Sequence, residues 1–102
     1  MRPKVVTVRS ATTSPVIPVN WRENPFNISF ACVKTGTNTY TVEHTFDDVF
    51  DSSITPTWWN HEFVANETQN AVGNYISPVK AIRLNVGTYT SGQVTMTLLQ
   101  GR

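Results

Sequence analysis

The chain has 102 residues, of which eight are Lys or Arg and seven are Asp or Glu, and its formal net charge is +1. This length allows one small domain, and the near-neutral charge excludes the strongly basic surface that nucleic-acid binding requires. The composition includes fifteen threonines, thirteen valines and eleven aromatic residues, which favours β-structure because branched and aromatic side chains fit a pleated surface.

Residues 1–26 are predicted as an extended N-terminal arm. Residues 5–8 have strand character, but the prolines that follow remove amide donors and exclude a central strand or a helix interior. These prolines are Pro15, Pro18 and Pro25. We therefore expect an arm over 1–26, which forms an edge or docks on a partner, followed by a β-domain over 27–102.

From residue 27 onward the hydrophobic pattern has a period of two, which is typical of strands. Apolar and polar residues alternate over 27–34 and 39–46, on either side of a glycine-containing turn. We therefore predict that these segments pair as an antiparallel hairpin with one solvent-exposed face. Residues 81–86 and 94–98 are predicted as a second hairpin. Residues 47–78 have room for one or two short strands.

Short strands at this spacing, with no helical pattern between them, predict an antiparallel sandwich or barrel. The inward-facing positions of the predicted strands define the expected core. They are Ile28, Phe30, Tyr40, Val42, Phe46, Ile82, Leu84, Val86, Val94, Met96 and Leu98.

Charge is segregated along the chain. Residues 1–34 carry a net charge of +4, whereas residues 35–79 contain six acidic residues and no Lys or Arg. One interpretation is that the basic segment of one copy faces the acidic loops of the next, which would favour partner choice and register. The alternative is that the charges are mixed in space and solvated.

The sequence contains no specific motif for catalysis, metal binding or a cofactor. Asp47, Asp48 and Asp51 form an acidic turn without the glycine and closing glutamate of an EF-hand, so a solvated turn is the favoured interpretation and a bound cation stays open. His44 and Cys32 share the spacing of buried strand positions, and the lone cysteine excludes an intrachain disulfide. We predict no enzyme, no cofactor and no metal site.

The tryptophan pair at Trp58 and Trp59 is the most informative motif. Neighbouring strand residues point to opposite faces, so one sheet buries only one of the two rings in its core. The other ring is covered by the arm, stacks on a sugar or anchors a subunit interface.

The apolar runs are too short to cross a bilayer, and the start of the chain lacks the long apolar stretch of a signal peptide. We therefore expect synthesis in the cytoplasm and no membrane partner.

Five segments together resemble small structural proteins of tailed bacteriophages. The resemblance covers about residues 38–101 and rests on TYTVEHTFDD at 39–48, TWWNH at 57–61, GNY at 73–75, PVKAIRLNV at 78–86 and GQVTMTLLQG at 92–101. Proteins of this kind look like compact β-sandwiches of the virion, and some proteins of this size decorate or cement capsids.

The fold expected from this resemblance is a single antiparallel β-sandwich, jelly-roll-like. The expected function is that of a virion protein that binds the outer capsid surface and cements subunits of the major capsid protein lattice. A homo-oligomer, dimer or trimer, is expected, and nucleic acid is not a partner. The alternatives are a tail or head-to-tail joining component and a glycan-binding module that uses Trp58 or Trp59 with Asn60, His61 or Asp51. The predicted contact residues are Arg2, Lys4, Arg9, Trp21, Arg22, Trp58, Trp59 and His61.

Overall fold

A computed structural model describes residues 3–22 and 26–100. Eight strands occur in these ranges and no helix does, so none that could span a bilayer is found there. The strands are β1 (Lys4–Val8), β2 (Ile17–Pro18), β3 (Ile28–Thr35), β4 (Asn38–Thr45), β5 (Trp58–Asn60), β6 (Ala71–Tyr75), β7 (Ala81–Tyr89) and β8 (Gln93–Gln100).

The strands form two antiparallel sheets of four strands each. Sheet A has the order β1-β8-β3-β6, and sheet B has the order β2-β7-β4-β5. The first strand therefore pairs with the last, the second with the seventh, the third with the sixth and the fourth with the fifth. The expectation of an all-β, antiparallel architecture is confirmed.

The core lies between the two sheets and uses the alternation that the sequence predicts. All the expected core side chains are buried except Phe46, which is 59% exposed. Its assignment to the core was wrong because β4 ends at Thr45, so the period-two pattern stops one residue before the phenylalanine. Cys32 is buried in the same core, and burial raises the pKa of its thiol to about 12.

Both predicted hairpins have the right strands and the wrong partners. The strands β3 and β4 lie in opposite sheets, and so do β7 and β8, so the two short connections cross between the layers. The alternation of apolar and polar residues predicts a strand and its inward face. Two strands joined by a short turn show the same alternation whether they pair in one sheet or lie in two different sheets.

The two crossings pack against each other through glycines. Gly36 and Gly92 have positive φ angles of 74° and 83°. A Cβ atom on Gly92 would lie 1.9 Å from the carbonyl oxygen of Thr35, so the two corners are in backbone contact. The Asn38 side-chain amide ties them together by donating to the carbonyl oxygens of Thr35 and Ser91, at 3.0 and 2.9 Å.

In the residues described, the N-terminal segment takes part in both sheets. β1 pairs over its full length with β8, and β2 pairs with the start of β7. Both are edge strands, which explains why Pro18 is tolerated in β2. Four apolar side chains of the segment enter the core, namely Val8, Ile17, Val19 and Phe26.

Candidate functional site

A cleft of about 340 Å³ opens where the free edges of β5 and β6 approach each other. Its buried wall contains His61, Tyr75 and Val79, while Phe46, Phe63 and Ile76 stand exposed around it. The remaining lining residues are His44, Asn60, Glu62, Asn74 and Ser77. The cleft thus combines aromatic walls with a few polar groups.

His61 builds one side of the cleft through backbone hydrogen bonds. Its Nδ1 accepts from the backbone amides of Phe63 and Val64, at 3.1 and 3.2 Å. Because Nδ1 is an acceptor, the ring proton lies on Nε2, which donates to the Asn74 carbonyl oxygen at 3.0 Å. The ring therefore joins the loop after β5 to the free edge of β6, and both nitrogens are used.

His44 and Tyr75 form a second contact across the sandwich. The Tyr75 hydroxyl lies 2.9 Å from His44 Nδ1, and burial raises the pKa of this tyrosine, so the hydroxyl keeps its proton and donates it to the ring. Burial, and then the neighbouring His61, lower the pKa of His44. The neutral His44 ring thus carries its proton on Nε2, which has no partner among the described residues.

Three large apolar side chains around this cleft are more than half exposed. Besides Phe46 at 59%, Phe63 and Ile76 are 77% and 74% exposed. A second hollow of about 270 Å³ shares Phe46 and Val79 with the cleft and extends to Trp21. We call the surface formed by the cleft and this hollow the aromatic end.

The structure places the predicted tryptophan contacts in three different settings. Trp21 borders the second hollow and is 41% exposed, with the charged groups of Arg22 and Lys80 4.9 and 5.0 Å from its ring centroid. Trp58 lies against the guanidinium of Arg83, at 4.2 Å. Trp59 is 54% exposed on the edge strand β5. Neither ring of the pair is fully buried, so the expectation that one enters the core is corrected.

The other predicted contact residues are not gathered at one place. Lys4 lies in β1, at the edge of sheet A opposite β6, and Arg9 follows that strand and donates from Nε to Gln93 Oε1 at 3.0 Å. His61 is only 6% exposed and forms part of the cleft wall. Arg2 lies outside the described residues.

The acidic turn is held by its own hydrogen bonds. Asp47 Oδ2 accepts from the backbone amide of Thr57 at 2.7 Å, and Asp51 accepts from the hydroxyl and amide of Ser53, which lower the pKa of Asp51. Within residues 3–22 and 26–100, no three His, Cys, Asp or Glu side chains form a group that could hold a metal ion.

Sequence reasoning missed the apolar residues of the loops. Phe50, Ile54 and Phe63 follow no strand period and are 79%, 42% and 77% exposed. The available signal was their position: large apolar side chains in a segment of turns and acidic residues have no sheet face to bury them. Such residues are candidates for contacts with another molecule.

No protein-family model matches the chain, and no curated protein is significantly similar to it.

Proposed function

We propose that this chain is a structural protein of a tailed-phage virion, which binds the outer capsid surface and cements neighbouring capsid subunits. The observation that carries this proposal is the aromatic end, where Phe46, Phe63 and Ile76 are all more than half exposed around one cleft. Contiguous exposed apolar surface of this kind marks interaction sites in soluble proteins. The resemblance of residues 38–101 to phage structural proteins supplies the setting.

The strand pairing supports a jelly roll as the finer description of the fold. In a jelly roll, a long antiparallel ribbon of eight strands is rolled into two sheets, so the first strand meets the last and the fourth meets the fifth. The pairs β1–β8, β2–β7, β3–β6 and β4–β5 follow this scheme. Jelly rolls are frequent among viral capsid and lectin domains.

The partner that fits the cleft of the aromatic end is an exposed capsid segment with apolar side chains next to Lys or Arg. The apolar side chains would pack against Phe46 and Phe63, and a main-chain carbonyl would accept from Nε2–H of His44. Acidic side chains neighbour both phenylalanines, since Asp47 follows Phe46 and Glu62 precedes Phe63. Basic groups on the partner would therefore be attracted to the rim of the cleft, whereas Lys80 and Arg22 lie beside the second hollow.

Cementing requires that the chain bind the assembled lattice in preference to free subunits. Binding to one state stabilises that state by mass action, and many copies on a lattice multiply modest contacts. A contact of standard size takes about 800 Å² from each partner. This is a small part of the 6032 Å² accessible surface, so one copy has room for contacts with two neighbouring subunits.

The proposal assigns no catalysis to the chain. Both ring nitrogens of His61 are used in hydrogen bonds that hold the cleft together. The Cys32 thiol is buried, and its pKa near 12 keeps it protonated at neutral pH.

The glycan-binding alternative has less support from the same geometry. Of the polar partners expected beside the tryptophans, His61 has no free ring nitrogen and Asp51 accepts from Ser53. Asn60 neighbours Trp59 along β5, so the two side chains point to opposite faces.

The test uses capsids purified from a phage that lacks this gene, to which the purified chain is added before sedimentation. Phe63→Ser removes the most exposed ring of the cleft, and we expect about tenfold weaker binding or worse, which corresponds to the loss of one buried aromatic side chain. Val16→Ser is the matched control, because Val16 is 40% exposed and does not line the cleft.

Two outcomes would count against the proposal. If the unaltered chain does not sediment with the capsids, capsid binding itself is wrong. If Phe63→Ser and Val16→Ser bind as tightly as the unaltered chain, binding occurs through another surface and the assignment of the aromatic end is wrong.

A further inference from the structure

The outer face of sheet A carries no charged side chain at any strand position. The register of the four strands places twelve residues on this face, which we call the neutral face. They are Val5, Thr7, Ser29, Ala31, Val33, Thr35, Val72, Asn74, Gln93, Thr95, Thr97 and Leu99. On a typical soluble surface about a quarter to a third of such positions would be charged.

Three apolar side chains and one threonine form a row across the neutral face. Val5 pairs with Thr97, which pairs with Ala31, which in turn pairs with Val72, so one row crosses all four strands. The two valines that end this row, one on each edge strand, are 59% and 80% exposed. Val33 and Leu99, from the neighbouring rows, are 54% and 46% exposed.

The outer face of sheet B differs because it carries charged side chains. There Glu43 forms an ion pair with Arg83 at 2.7 Å and accepts a hydrogen bond from Asn85 at 3.1 Å. The bridge between Thr13 and Asn85 continues the pairing at the β2 edge of this sheet. Sheet A therefore has an open face whose strand positions are uncharged, and the Arg9 guanidinium, which donates to Gln93, lies at one corner of it.

We propose that the neutral face binds the same face of a second copy of this chain. A charged partner surface would lose its hydration against the neutral face without gaining a counter-ion, so an uncharged partner is favoured. The aromatic end has acidic neighbours and sheet B carries an ion pair, so among the described surfaces the one that matches the neutral face is the neutral face itself. A two-fold dimer brings these identical surfaces together.

The size of the face sets the expected strength of this dimer. β3 and β8 have eight residues each and β1 and β6 have five, so at about 3.3 Å per residue and about 4.8 Å between strands the face has a footprint of roughly 400 Å². This is below the roughly 800 Å² per partner of a standard interface, so we expect reversible association at micromolar concentrations. The dimer does not depend on capsid binding, because it forms from the isolated chain.

The experiment is sedimentation equilibrium of the purified chain from about 1 to 500 µM. We expect a monomer–dimer equilibrium that Thr97→Lys shifts to at least tenfold weaker association, because the two-fold axis brings two lysines into one uncharged contact. Thr88→Lys, at an exposed position of β7 in sheet B, is the matched control and leaves the equilibrium unchanged.

Val72→Lys is a second variant that separates an effect on the dimer from an effect on folding. The Val72 side chain is 80% exposed, so its replacement removes little packing. It should weaken the dimer while the urea unfolding midpoint stays the same. The proposal is overturned if the unaltered chain is monomeric throughout the range, or if Thr97→Lys and Val72→Lys associate like the unaltered chain. It is also overturned if Phe63→Ser is the change that abolishes the dimer.

Discussion

At the scale of single residues, the two histidines of the cleft have structural roles that require the neutral ring. His61 accepts two backbone amides at Nδ1, and His44 accepts the Tyr75 hydroxyl at the same atom. A second proton on either ring would remove these acceptors and leave the donors without a partner. The shape of the cleft therefore depends on the hydrogen bonds of these rings.

The pH dependence of stability follows from His44. Burial, and then His61, lower its pKa from the ordinary 6.5, so below this pH the unfolded chain binds more protons than the folded chain. This contribution to stability is complete above pH 6.5 and is lost as the pH falls toward the folded-state pKa. We expect the urea midpoint of the unaltered chain to fall more between about pH 8 and pH 5 than that of His44→Gln.

Equal losses of stability in the two proteins over this pH interval would show that His44 is not the group responsible.

At the scale of elements, the two crossings between the sheets depend on glycine. Gly92 has a positive φ, and a Cβ atom at this position would collide with the Thr35 carbonyl oxygen. A Cβ atom on Gly87 would meet no other atom. Gly92→Ala should therefore lower the free energy of unfolding by about 1–3 kcal/mol or more, while Gly87→Ala should change it little. Urea unfolding of both variants measures the difference, and equal midpoints would mean that the crossings do not contact as described.

The sequence predicted the strands and their inward faces because the alternation of Ile28, Phe30 and Cys32, or of Leu84 and Val86, reflects one buried face. It did not predict which strands pair, because β3 and β4 carry the same pattern in a hairpin and across two sheets. The cleft was missed for a related reason. It is made by the ends of elements, where Phe46 continues the period of β4 beyond the end of the strand and Phe63 follows no period.

The N-terminal strand gives an element-level prediction that distinguishes a strand of the sandwich from an independent arm. Deleting residues 1–8 removes β1 and takes Val8 out of the core, leaving β8 with a free edge. We expect the cooperative thermal transition to be lost or moved to much lower temperature. Deleting residues 1–3, which precede β1, is the control. A transition that is unchanged by the longer deletion would restore the view of an independent arm.

At the scale of the whole molecule, the aromatic end and the neutral face are adjacent surfaces with different chemistry. They meet at Asn74, which lines the cleft and lies on the outer side of β6. A dimer formed through the neutral face would carry two aromatic ends, so a pair of weak capsid contacts would act together with a higher effective affinity. The two proposals thus support each other in function, although each is tested by a separate experiment.

The measurement that tests the central claim most directly is the copy number of this chain in purified phage particles, relative to the major capsid protein, by quantitative mass spectrometry. A lattice-wide cement predicts a ratio approaching one to one. A few copies per hundred capsid subunits would instead indicate a tail or head-to-tail component, and absence from the particles would contradict a structural role in the virion.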